Sequence, residues 1–276
     1  MKKTVKIISF IMAVWMFCIF SLGAVAEVVS KGIDVSYWQS YHQGEYSAID
    51  FEKVKADGNQ FVIIRIGTSY SIDSTFEKNY ADAKAAGLDV GFYFYTYAQT
   101  VEESQKDAEK VVGWIGDKQF EYPIYFDIED ISLEYLSKEE KTAICETFLE
   151  YVSSRGFLAG LYCNPTWLNN HLDSDKLMEK YELWLAHWSN SGEPDVDKSA
   201  ECRVWQYTSK GTVEGIVGNV DMDVSYFDYP KHVKENGLNN YPMDAEGTIF
   251  SAQMKILKKI FKLIMEAIKI LMSLFG

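Results

Sequence analysis

The chain has 276 residues, with 27 basic and 40 acidic side chains and a formal net charge of −13. Three lysines fall in residues 1–26, and five lysines and one acid in residues 248–276; the stretch 27–247 therefore carries 19 basic against 39 acidic residues, or −20. That surface argues against nucleic acid as a partner, since such binding depends on Lys and Arg displacing condensed counterions, and leaves a neutral sugar compatible.

At the N-terminus, Lys2, Lys3 and Lys6 precede an apolar run over 8–22, and Ala24-Val25-Ala26 supplies a small-x-small cleavage pattern. These features predict a signal peptide over 1–26 and a secreted, extracellular or cell-wall associated protein. An uncleaved anchor is the alternative, although the run is shorter than the ~20 residues of a usual span. The remaining length suits one barrel domain. Cys145, Cys163 and Cys202 stand at no metal-ligand spacing, so buried thiols are expected, with one disulfide as the alternative. His42, His171, His187 and His232 are dispersed, and no metal or nucleotide motif occurs; neither a metal nor a cofactor is expected.

In chain order, β-rich runs predict strands at 32–36, 61–66, 90–95, 123–127, 159–163, 183–186, 204–206 and 220–224. Helices are expected near 50–58, 75–87, 101–116, 137–155 and 174–181. The fourth opens on Ser137 with Glu140 three residues later, a capping-box pattern, and closes at Gly156. Alternating β and α units argue for a parallel sheet with right-handed crossovers, and eight strands suffice to close it. The expected fold is an irregular α/β TIM-like barrel, with five strand-helix units followed by three strands, over 27–230. A doubly wound open sheet is the alternative. Against it, acidic residues gather at the predicted C-terminal ends of strands one, four and eight, which share one face only on a closed barrel.

In the fourth strand, Tyr122-Pro-Ile-Tyr-Phe-Asp-Ile-Glu-Asp130, alternation puts Asp127 and Glu129 on the same side. Glycosidic cleavage needs one acid to protonate the leaving oxygen and a second negative group facing the oxocarbenium-like carbon. Two carboxylates held close resist ionising together, which keeps one a proton donor near neutral pH. Asp34 ends the first strand in Gly32-Ile-Asp-Val-Ser-Tyr-Trp-Gln39, and Asp221 lies in Gly218-Asn-Val-Asp-Met-Asp223, sharing a face with Asp223. Tyr and Trp offer pyranose rings a flat apolar face and a polar edge. Tyr95, Tyr162, Trp188 and Gln206 are expected to contact ligand, because they fall at or just past predicted strand ends.

Taken in order, Gly32-Ile-Asp-Val-Ser-Tyr-Trp-Gln39, Asp127-Ile-Glu129, Gly160-Leu-Tyr-Cys-Asn164, Leu183-Trp-Leu-Ala186, Trp205-Gln-Tyr207 and Val220-Asp-Met-Asp223 closely resemble the family 25 glycoside hydrolases, the 1,4-β-N-acetylmuramidases or lysozymes. The resemblance covers about residues 31–229. It implies a barrel with five strand-helix units and three further strands, and cleavage of peptidoglycan between N-acetylmuramic acid and N-acetylglucosamine. It implies Glu129 as general acid, Asp127 as the second carboxylate, and Asp34 and Asp221 as the rest of the acidic cluster. It leaves open whether a carboxylate or the substrate's 2-acetamido group attacks. One departure is Phe94, where many members carry His.

Two other readings stay open: a chitinase-like or endo-N-acetylglucosaminidase activity, and a non-catalytic cell-wall glycan-binding module. Residues 231–247 read as a polar linker. In 248–276, Lys255, Lys258, Lys259, Lys262, Glu266, Lys269 and Ser273 recur every three to four residues among apolar side chains, which predicts an amphipathic basic helix. It could lie on a membrane surface, self-associate or pack on the barrel.

Overall fold

The computed structural model describes residues 28–42 and 44–243. The expected signal peptide, tail helix and residues 244–247 lie outside that range. The chain runs β1 (Ser30–Val35), a short hairpin of β2 (Tyr41–His42) and β3 (Glu45–Tyr46), α1 (Phe51–Ala56), β4 (Phe61–Thr68), α2 (Phe76–Ala85), β5 (Asp89–Tyr95) and α3 (Val101–Ile115). It continues through β6 (Ile124–Asp127), α4 (Lys138–Ser154), β7 (Ala159–Cys163), α5 (Ser174–Met178), β8 (Glu182–Ala186), β9 (Val204–Gly211), β10 (Val220–Ser225) and α6 (Tyr229–Asn236). Eight strands close into a barrel in the order β1-β10-β9-β8-β7-β6-β5-β4, with β4 returning to β1. The open-sheet alternative is thereby excluded.

Strands such as Phe-Val-Ile-Ile-Arg-Ile-Gly-Thr in β4 are apolar on both faces because both are covered. Outward side chains, among them Ile64, Phe92, Phe94 and Phe126, join Phe76, Val111 and Phe148 of the helices in the larger core. Inward ones, including Phe61, Ile63, Tyr125, Trp184 and Val204, fill the barrel itself. Large rings are accommodated by glycines: a Cβ on Gly32 would meet the Phe61 ring at 2.6 Å, and one on Gly160 would meet the Tyr125 ring at 2.6 Å. The α4 capping box forms as expected, with Ser137 N–H donating to Glu140 Oε2 at 2.8 Å and Glu140 N–H to Ser137 Oγ at 3.2 Å. Among the described residues, Cys145, Cys163 and Cys202 are buried free thiols.

Two expectations need correction. The barrel is not wholly parallel: β10 runs antiparallel to both neighbours, since without a crossover helix a strand can return by a simple turn. Residues 231–243 are not a free linker. Asp228 accepts Lys231 N–H at 3.0 Å, Pro230 occupies the first turn of α6, and Gly237 closes it at φ 60°. Beyond it Asn239 is fully buried; its Nδ2 donates to Tyr122 O at 3.0 Å and its Oδ1 accepts Leu158 N–H at 2.8 Å. Asn240 Nδ2 donates to Gly116 O and Lys118 O. The polar composition that suggests a linker instead satisfies backbone groups at the N-terminal end of the barrel.

Candidate active site

At the opposite end, the C-terminal end of the parallel strands, five carboxyl groups meet. Asp34 lies one residue before the end of β1 and is paired in register with Asp221; Asp223 stands opposite Gly32. Asp221 sits at the start of its strand, not at the end as the sequence suggests. It reaches the same mouth because β10 is reversed. Asp127 ends β6, and its Oδ1 accepts the Glu129 N–H at 3.2 Å, so the chain turns out of the pleat and Glu129 projects from a loop. The Asn164 N–H, just past β7, donates to Glu129 Oε1 and fixes that carboxyl.

Burial sets the acidities here. Asp34 and Asp127 are each 6% exposed and Asp223 is fully buried. Burial pushes Asp34 well above the ordinary carboxylate range, and Asp221, Asp223 and Asp127 push it further. Asp127 is raised by burial and by Glu129 beside it, with Arg65 opposing. Burial also raises Glu129, against hydrogen bonds from Asn164, and brings Asp221 to about 6. Asp223 is raised by burial, although Trp184 Nε1 donates to its Oδ1 at 2.7 Å. Its Oδ2 has no hydrogen-bond partner among the described residues. After burial, Asp127, Asp34, Glu129 and Asp221 all raise the Tyr162 hydroxyl, so the acids form one field around one point.

Gln206 links that field to the walls. Its Nε2 donates to Asp34 Oδ2 at 2.7 Å, and its Oε1 accepts from Tyr162 Oη at 3.2 Å and Trp188 Nε1 at 3.1 Å. Trp188 stays 58% exposed, its ring available to a ligand. Tyr95 Oη donates to Asp130 Oδ2 at 2.9 Å. All eight expected site residues thus lie at this mouth. Gln39 is engaged elsewhere, since its Oε1 accepts Ser36 N–H at 2.9 Å, while neighbouring Trp38 is 62% exposed. Phe94, the departure noted above, packs outward against Phe148, away from the acids.

Sequence reading passed over Arg65 and the structural part of Trp184. Arg65 is the guanidinium acting on Asp127, but its Nε and Nη2 are tied to Asp73 Oδ2 at 2.9 and 2.8 Å, and it lies over the Tyr37 ring at 4.9 Å. A lone arginine inside a buried apolar strand was the available signal. No group of three or more His, Cys, Asp or Glu among the described residues is arranged to hold a metal ion.

The structure is a closed barrel of eight strands with buried acids at the C-terminal mouth, the face on which sites of this architecture are built. The sequence pattern described as glycosyl hydrolases family 25 matches residues 33–216, and the chain belongs to that family. It is 30% identical over 195 residues to the autolytic lysozyme of Clostridium acetobutylicum, a match covering 70% of this chain and 55% of that protein. It is 28% identical over 202 residues to lysozyme M1 of Streptomyces globisporus, covering 69% and 66%. The chain thus spans about half to two thirds of these relatives' lengths. The bacterial lysozyme from Streptomyces coelicolor has the same fold, with a TM-score of 0.60 at 24% identity, covering 76% of this chain and 97% of that one.

Proposed function

We propose that this chain is a peptidoglycan hydrolase that cleaves the β-1,4 bond between N-acetylmuramic acid and N-acetylglucosamine. The observation that carries the reading is the Asp127–Glu129 pair of adjacent carboxyl groups, Asp127 buried and Glu129 partly buried. Both are raised by burial and stand too close to ionise together readily, so that one keeps a proton to donate while the other carries the charge. Glu129, oriented by the Asn164 N–H, donates its proton to the glycosidic oxygen as the bond to the anomeric carbon breaks. Asp127 meets the positive charge developing at that carbon, either by attacking it or by orienting the 2-acetamido group that does. A water then adds to the anomeric carbon as the bond from that carbon to Asp127, or to the acetamido oxygen, breaks, and the water's proton passes to the Glu129 carboxylate. Asp34, Asp221 and Asp223 complete the carboxyl cluster beside the pair, and Gln206, Tyr162, Trp188 and Tyr95 line the path of the sugars.

The test is digestion of purified peptidoglycan, followed by borohydride reduction and mass spectrometry. Products ending in reduced muramic acid support the assignment. Products ending in reduced glucosamine make it an endo-N-acetylglucosaminidase, cleavage of chitin alone makes it chitinase-like, and binding without cleavage makes it a glycan-binding module.

The same reading includes export through residues 1–26 and membrane-surface contact through 248–276. The lysine stripe of the tail faces an anionic surface favourably while its apolar residues enter the headgroup boundary, offsetting the −20 of the barrel segment. Deleting 248–276 is expected to leave hydrolysis of soluble fragments unchanged and to reduce sedimentation with anionic liposomes. Loss of oligomerisation with unchanged liposome binding would favour self-association instead, and unfolding would place the helix in the fold.

A further inference from the structure

Beside the mouth, on the flank formed by the loops after β4 and β5, lies a cavity of about 320 Å³ that the proposed chemistry does not use. Tyr70 and Tyr97 form one wall, with ring centroids 4.7 Å apart, and Tyr70 is 80% exposed. Lys106 and Lys110, one turn apart on α3, form the other. An aromatic path leads from the cavity toward the acids, because Tyr97 lies 5.1 Å from Tyr95 and Tyr95 is paired in register with Asp127.

The wall is built on a buried group. Asp107, 2% exposed, accepts from the hydroxyls of Ser69 and Thr96 and from Lys110 Nζ at 3.0 Å; Ser69 Oγ in turn accepts the Tyr97 N–H at 2.8 Å. Both loops are therefore locked to α3. Asp107 is fully engaged, Glu103 Oε2 accepts the Gln99 N–H at 2.7 Å, and Lys110 Nζ also donates to Ser69 O at 2.7 Å. Lys106 is exposed and makes no hydrogen bond or ion pair among the described residues. The exposed Lys106 ammonium, lining the cavity with the two tyrosines and beside the engaged Lys110, can take a carboxylate.

We propose that this cavity binds the carboxylates of the short peptide attached to the lactyl group of muramic acid. Building on the muramidase reading, the site would distinguish peptide-bearing strands from bare N-acetylated glycan. Lys106 and Lys110 meet the carboxylates, and the tyrosine faces cover the peptide's aliphatic parts.

The test compares wild type with Lys106→Glu and Lys106→Gln, on strands with peptides intact and on strands stripped of them by an amidase. Binding of the free acidic stem peptide is followed separately by NMR line broadening. Both variants should raise KM on peptide-bearing strands, Lys106→Glu by about tenfold, with no change on stripped strands; added salt should shrink the difference. Lys106→Arg should restore wild-type behaviour. Equal effects on both substrates, or none on either, would overturn the proposal, as would peptide binding that ignores Lys106. An inactive wild type that still binds the peptide through Lys106 would sink the muramidase reading and keep this one.

Discussion

The two ends of the barrel treat buried acids in opposite ways. At the N-terminal end Glu121, 2% exposed, receives Lys84 Nζ at 2.6 Å, Val90 N–H at 3.0 Å and the Tyr241 hydroxyl. At the mouth Asp34, Asp127 and Asp223 are equally buried, and the guanidinium nearest Asp127 is spent on Asp73. One end uses a carboxylate as a structural acceptor with its counter-ion supplied. The other crowds carboxyl groups with no cation paired directly to them among the described residues, Arg65 acting on Asp127 only from its place on Asp73. That is a cost to the fold, understandable where perturbed acidity is the purpose.

If the mouth is the reactive end, Asp127→Asn should lower kcat by about 10²–10³, the usual loss when a group stabilising transition-state charge is removed. Its unfolding midpoint in urea should be equal or higher. Glu121→Ala should do the reverse, destabilising by about 1–3 kcal/mol because the buried Val90 N–H and the Tyr241 hydroxyl lose their acceptor, while kcat measured below the melting temperature stays unchanged. A kcat loss in the Glu121 variant would break the division between the ends.

A smaller effect sharpens the comparison through pH. Asp221 rises from 3.8 to about 6 in the folded chain, so the native state binds its proton more tightly than the unfolded state does. Stability from this group is present below about pH 4 and is lost as pH rises through 6. Asp221→Asn should flatten that slope and stabilise the protein at pH 7 by about 1 kcal/mol, read from melting temperature against pH. A residual slope should remain, because burial and Glu121 also raise Asp89 to about 6 at the other end. Least in size, Trp188→Ala should raise KM a few-fold with little change in kcat, since stacking aromatics contribute about 0.5–1.5 kcal/mol.

Much of this was legible in the sequence, and for definable reasons. Barrel strands buried on both faces read as short β-branched runs, and the Ser137 and Glu140 box marked its helix. The direction of β10 was not legible, since an apolar run carries no sign of orientation; the face of Asp221 came out right although its strand end did not. Helix α6 was missed because its residues are mostly polar, yet Asp228, Pro230 and Gly237 were the capping signals that could have found it. Pleat alternation placed Asp127 and Glu129 together, whereas the contact rests on a turn in which Asp127 holds the Glu129 backbone. Arg65 and the Lys106 cavity depend on partners far apart in the chain, which spacing alone does not reveal.

The most direct test is Glu129→Gln, assayed on purified peptidoglycan beside a measurement of stability and of binding to uncleaved glycan. The amide keeps size and can still accept the Asn164 N–H, but it cannot deliver a proton. Turnover should fall by about 10²–10⁴, with folding and glycan binding retained. Near-normal release of reducing muramic acid by this variant would contradict the account.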